Sequence, residues 1–170
     1  SILDRTDAED AINVLRTRMG LNLKDRRFPR KRTIANIYSK AVNKGIPIDE
    51  VMLEDYSHFL GETTDLLRLN EAYQAYKRKN LLMDYDDLLI YLRTLLQENP
   101  DVQETLSETY QYIMVDEYQD TNKIQADVVR FLAATHNNVM VVGDDSQSIY
   151  AFRGANFRNI MDFPEMFPDT

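Results

Sequence analysis

Two segments about thirty residues apart constrain this chain more than anything else in it: Tyr112-Ile113-Met114-Val115-Asp116-Glu117-Tyr118-Gln119-Asp120 and Val141-Val142-Gly143-Asp144-Asp145-Ser146-Gln147-Ser148-Ile149-Tyr150. Each is a short apolar run that stops abruptly in carboxylates and glutamine. Apolar runs with β-branched residues and a sharp polar stop predict buried parallel strands. Open α/β sheets place their ligands at the carboxyl ends of such strands. If strand geometry continues past Val115, the Asp116 and Glu117 side chains point in opposite directions and one metal cannot easily take both. That division suits nucleotide hydrolysis, with one acid holding Mg²⁺ and the next orienting the attacking water.

The rest of the second half follows the same α/β grammar. Asp84 is placed to cap a helix through Leu88, Leu89, Leu92, Leu95 and Leu96, with Asp86 and Asp87 in its first turn, where the helix dipole favours acids. A helix opening near Thr121-Asn122 presents Ile124, Val128 and Leu132 on one face. A strand at about 138–142 then completes a βαβ unit with the expected right-handed crossover. The first half reads as helices: one capped by Asp7 and ending near Gly20, one from Ile34 to Val42 closed by Gly45, a short one at Tyr56-Leu60 stopped by Gly61, and a long one from about Thr64 to Asn80. The fold class expected is α/β, an all-helical subdomain over 1–82 followed by part of a RecA-like parallel-sheet domain over 83–170.

Composition narrows the chemistry. No apolar stretch approaches the roughly 18 residues that span a membrane, and no signal segment opens the chain. Zero cysteines exclude disulfides and thiolate metal sites, and two histidines leave little for zinc. The default is therefore a cytoplasmic protein with no membrane partner. The net charge of −8 opposes nucleic-acid binding only on average, because residues 1–50 hold 11 Lys/Arg against 7 Asp/Glu. The cluster Lys24, Arg26, Arg27, Arg30, Lys31, Arg32 could contact phosphates or simply form a solvated loop. Tyr150 and Phe152, alternating with Arg153, fit either a strand end in the core or a stacking platform for bases. Gly143-Asp144-Asp145 could be no more than a turn, and Gln147 could reach a phosphate across the crevice.

Taken as whole strings, the motifs resemble a known family. Val115-Asp116-Glu117-Tyr118-Gln119-Asp120-Thr121-Asn122 resembles motif II of the UvrD/Rep-type superfamily 1 DNA helicases. Gly143-Asp144-Asp145-Ser146-Gln147-Ser148-Ile149-Tyr150-Ala151-Phe152-Arg153-Gly154-Ala155 resembles their motif III. Met83-Asp84-Tyr85-Asp86-Asp87-Leu88-Leu89 is similar to the point where that family's chain re-enters its first motor domain, 1A. Ile2-Leu3-Asp4 and the helix after it resemble the start of the helical insertion, 1B.

The resemblance implies an ATP-driven translocase that unwinds duplex DNA 3′ to 5′ along one strand. It implies that Asp116 holds Mg²⁺, that Glu117 activates the hydrolytic water, and that Gln147 senses the γ-phosphate of ATP. Tyr150, Phe152 and Arg153 would contact single-stranded DNA. Ala151 stands where arginine is frequent, and Phe152 where tryptophan is, so stacking there would bury less area.

None of the five glycines begins a Gly-x-x-x-x-Gly-Lys-Ser/Thr phosphate loop. The expectation is therefore a piece of a helicase, 1B plus the central part of 1A, that is inactive without the remaining domains. Two rivals stand beside it. One is a binding module for nucleic acid or protein on a degenerate helicase fold. The other is a two-metal nuclease using Asp116, Glu117, Asp144 and Asp145.

Overall fold

The structure, a computed structural model, describes residues 1–22, 27–144, 163–165 and 167. Their elements run α1 (Arg5–Arg18), α2 (Lys31–Lys44), α3 (Ile48–Asp55), a 3₁₀ helix (Ser57–Glu62), α4 (Thr63–Lys79), α5 (Tyr85–Glu98), α6 (Pro100–Thr109), β1 (Ile113–Val115), a 3₁₀ turn (Tyr118–Asp120), α7 (Lys123–Leu132) and β2 (Val139–Val141). Two compact units result, Ser1–Leu88 and Leu89–Thr170, with the division inside α5.

The first unit is helical because its apolar residues recur at helical spacing. Ile12, Ile34, Ile37, Val51, Met52, Leu66 and Leu69 are fully buried and form the centre of its core. Tyr38 enters this core with its hydroxyl donating to the Leu66 carbonyl oxygen at 2.8 Å, so its polar end is satisfied. Burial pushes the Tyr38 phenol well above its ordinary pKa. The first helix starts one turn earlier than expected. Asp4 is its cap, accepting from the Asp7 N–H at 2.8 Å, and Asp7 lies in the first turn instead.

Two helices escape the sequence reading. α3 is short and enters through Pro47, with only Ile48, Val51 and Met52 turned inward. α6 begins at Pro100 and carries too few apolar residues for a stripe; its buried residue is Ser107, whose hydroxyl bonds that of Thr135 at 2.7 Å. The segment at 57–62 is helical but 3₁₀.

In the second unit β1 and β2 pair in parallel, with Ile113 opposite Val139, Met114 opposite Met140 and Val115 opposite Val141. Ile113, Val115, Val139 and Val141 face a small core around Tyr118, Ala133, Phe163 and Phe167. Met114 and Met140 point the other way and are 74% and 54% exposed, so among the described residues the sheet is covered on one face rather than both. Between the strands, α7 opens with a capping box: Asn122 accepts from the Gln125 N–H while the Gln125 side chain accepts from the Asn122 N–H.

Candidate active site

The site is built where both strands stop. Strand pairing runs slightly past β1 and β2, since the Val142 N–H donates to the Val115 carbonyl at 2.8 Å and the Tyr118 N–H to the Val142 carbonyl at 2.9 Å. Asp116 and Glu117 sit between these two anchors. Strand geometry does not continue through them, contrary to the condition set by the sequence reading. Glu117 takes the left-handed conformation, φ 52° and ψ 41°, which costs a non-glycine residue about 1–2 kcal/mol. The chain then tightens into the 3₁₀ turn at Tyr118–Asp120, closed by Asp120 N–H to Glu117 O at 2.9 Å. A turn, not a pleat, separates the two carboxylates.

What lies beneath that turn is fully packed. Tyr118 is buried and meets Phe163 edge to face, with centroids 5.6 Å apart. Gln119 is 1% exposed, and Thr121 and Asn122 are buried. Asp116, Glu117, Asp120 and Asp144, in contrast, are all exposed. Exposed acids on a base that is buried and hydrogen-bonded describe a site whose scaffold is packed and whose charges face outward.

The contacts of the acids are specific. One Asp116 carboxylate oxygen, Oδ1, accepts from the Glu117 N–H at 2.9 Å. Glu117 Oε2 accepts from Gln119 Nε2 at 2.5 Å, and Gln119 Oε1 accepts from the Asp144 N–H at 3.0 Å. Among the described residues no lysine or arginine forms an ion pair with Asp116, Glu117 or Asp120, and no three acidic or histidine side chains cluster so as to hold a metal by themselves. Mg²⁺ is bound through one or two carboxylates, with waters and substrate phosphates completing its octahedron. Asp116, a hard oxygen donor with no cationic partner among the described residues, fits that role.

Comparison with known proteins decides the family. A family model described as "UvrD/REP helicase N-terminal domain" matches residues 1–168. The chain belongs to the UvrD/REP helicase family. It is 34% identical over 172 residues to the ATP-dependent DNA helicase PcrA of Staphylococcus aureus (strain Mu50), covering 100% of this chain and 22% of that protein. It is 35% identical to the protein of the same name from Staphylococcus epidermidis, again over 100% and 22%. The one from Leuconostoc citreum is 37% identical over 82% of this chain and 18% of its own length. The chain thus spans about a fifth of the length of the curated relatives it matches.

Within this UvrD/REP helicase chain the structure brings Asp116, Glu117 and the backbone of Asp144 to one place. Gln147, Tyr150, Phe152, Arg153, Lys24 and Arg26 lie outside the described residues, as does Asp145 of the nuclease reading. Arg27 and Arg30 are exposed on either side of buried Phe28 and Pro29. Residue reading assigned no role to Gln119. Its signal was present, a carboxamide between two acids directly after a buried tyrosine, but nothing in the sequence says which way that carboxamide turns. No helix among the described residues is long and apolar enough to cross a membrane.

Proposed function

We propose that this chain is the part of an ATP-driven DNA helicase that carries the acids of its hydrolytic site. One observation carries the reading: in a UvrD/REP helicase chain, the carboxylates of Asp116 and Glu117 stand exposed, with no cationic partner among the described residues, on a buried scaffold at the ends of two parallel strands. The relatives' name, ATP-dependent DNA helicase, supports ATP as the nucleotide. In this reading residues 1–82 correspond to the helical insertion and 83–170 to part of the first motor domain. Translocation runs 3′ to 5′, in the cytoplasm.

Asp116 would hold Mg²⁺ through its carboxylate. The bound ion would neutralise negative charge on the β- and γ-phosphates. Glu117 orients the attacking water and takes its proton. Gln147 senses the γ-phosphate. Tyr150, Phe152 and Arg153 hold single-stranded DNA, and Lys24, Arg26, Arg27 and Arg30 meet backbone phosphates, including those of a duplex. Hydrolysis also needs a phosphate-binding loop, so the 170-residue chain alone should release no phosphate from ATP.

The test is DNA-stimulated phosphate release by the full-length protein that contains this chain, beside the 170-residue chain alone. Stimulated release from the first and none from the second is the expected outcome. DNA-stimulated release from the short chain that Glu117→Gln abolishes would overturn the division of labour. The DNA contacts are separable by salt. Phe152→Ala should weaken single-strand binding by about 1–3 kcal/mol at low and high salt alike. Replacing Arg26, Arg27 and Arg30 by alanine should instead flatten the salt dependence, and an unchanged slope would make the basic run a solvated loop.

A further inference from the structure

Gln119 is the most deeply buried polar side chain at the strand ends, and both halves of its carboxamide are used there. Nε2 donates to Glu117 Oε2 at 2.5 Å and Oε1 accepts from the Asp144 N–H at 3.0 Å. The two contacts fix the orientation of the amide. Turned over, it would set an oxygen against a carboxylate and an NH₂ against an N–H. Its backbone is equally constrained, because Tyr118 is bonded to Val142 and the 3₁₀ turn closes behind it. A glutamate on an exposed turn would otherwise sample many rotamers, and freezing it costs side-chain entropy. Here the freezing is done by a buried group that cannot move without leaving two polar atoms unpaired.

We propose that Gln119 is a positioning residue that holds the Glu117 carboxylate in one orientation and latches it to the chain leaving β2. The inference rests on the role assigned above to Glu117. Gln119 occupies Oε2, so the proton taken from water goes to Oε1. The carboxamide is planar and rigid, so a change at Nε2 is felt at Oε1 and at the Asp144 N–H. One buried group thereby ties the position of the base to the chain at Asp144, just past β2. Asp116 is outside this bridge and keeps its metal role when the bridge is cut.

Gln119→Met keeps the shape of the side chain and removes both bonds. In the full-length protein it should lower the DNA-stimulated kcat by about 10–100-fold, the scale of a misplaced reacting group, with the KM for ATP within about twofold. The loss should largely vanish when Gln119→Met is added to Glu117→Gln, because the residue acts through that carboxylate. Gln119→Glu retains the acceptor for the Asp144 N–H but replaces the donor to Glu117 with a second carboxylate, so it should lower kcat at least as far as Gln119→Met does. A merely structural role would leave the losses of Gln119→Met and Glu117→Gln additive. Unchanged kcat in Gln119→Met, or an undiminished loss on the Glu117→Gln background, overturns the inference while leaving the role of Glu117 standing. Near-normal turnover in Glu117→Gln overturns both. Should Gln119→Met fail to fold, the near-isosteric Gln119→Glu decides by its turnover: an unchanged kcat overturns the proposal.

Discussion

Two acid clusters in this chain use the same residue types to opposite ends. At the start of α5, Asp84 and Asp87 cap one another reciprocally, each carboxylate accepting from the other's N–H at 2.9 and 3.0 Å. Lys77, 3% exposed, reaches in from α4 and donates to Asp84 Oδ2 at 2.7 Å and Asp87 Oδ2 at 2.6 Å, while the Tyr73 hydroxyl adds a bond to Asp84 at 2.9 Å. Burial by itself would raise the Asp84 carboxyl, yet the Lys77 ammonium, the Asp87 N–H and the Tyr73 hydroxyl together hold it below the ordinary carboxylate value. At the strand ends Asp116, Glu117 and Asp120 are exposed and have no internal cation among the described residues. Acids that meet their cation inside the fold hold helices together. Acids left facing outward hold no helices together and have no such cation among the described residues.

That contrast can be broken most sharply at Glu117. Glu117→Gln in the full-length protein should cut ATP turnover by about 10²–10⁴-fold, the usual contribution of a general base. It should change folding stability by less than about 0.5 kcal/mol, as an exposed substitution does. Steady-state hydrolysis and urea unfolding of the same preparation check both halves. A large loss of stability would place Glu117 with the structural acids.

Lys77→Met should do the reverse. Removing one partner from a buried ion cluster typically costs about 3–5 kcal/mol, and the helical unit should unfold at correspondingly lower urea. The pH dependence follows from the sign of the Asp84 shift. A carboxyl whose folded pKa is depressed contributes stability above its unfolded pKa and loses it as pH falls through the folded value. The variant lacks that contribution, so the two proteins should differ most near neutral pH and converge in acid below the ordinary carboxylate range. A constant difference across that range would mean that Lys77 contributes packing rather than charge.

Asp86 gives the smallest effect and the opposite pH sign. Burial, then the nearby Asp84 charge, pushes its carboxyl up, against hydrogen bonds from Ser39 and Asn43 at 3.1 and 3.2 Å. A raised carboxyl favours folding when protonated and loses that advantage as pH rises through the folded value. Asp86→Asn keeps an acceptor for both donors and removes the charge. It should therefore stabilise the unit at neutral pH by less than about 1 kcal/mol, fading as the pH drops. Destabilisation at neutral pH would show that the Asp86 charge is itself required.

Much of this molecule can be read from spacing. The buried faces of α2 and α4 follow their apolar periodicity, Gly45 closes α2 in the left-handed conformation, and the two parallel strands lie where the apolar runs predict them. Each of these depends on residues a few positions apart, and local sterics and hydrophobic period suffice to set it. The carboxylates of the candidate site are equally legible, because a sharp polar stop after a strand is itself a local pattern.

The tertiary structure alone decided what each polar group meets. Nothing in the spacing distinguishes Lys77, which is buried between two aspartates, from its exposed neighbours Arg78 and Lys79 at the end of α4. Nothing in the string Asp116-Glu117-Tyr118-Gln119 shows that Glu117 leaves the strand for a left-handed turn, or that Gln119 spans 25 residues to reach the Asp144 N–H. Met114 and Met140 look as buried as their neighbours until the pleat assigns them to the uncovered face. Local pattern fixes which elements form, since their hydrogen bonds and periodicity close within a few residues. The partner of a buried charge or amide depends on which distant segments the packed chain brings within hydrogen-bond distance, and only the path of the whole chain specifies that.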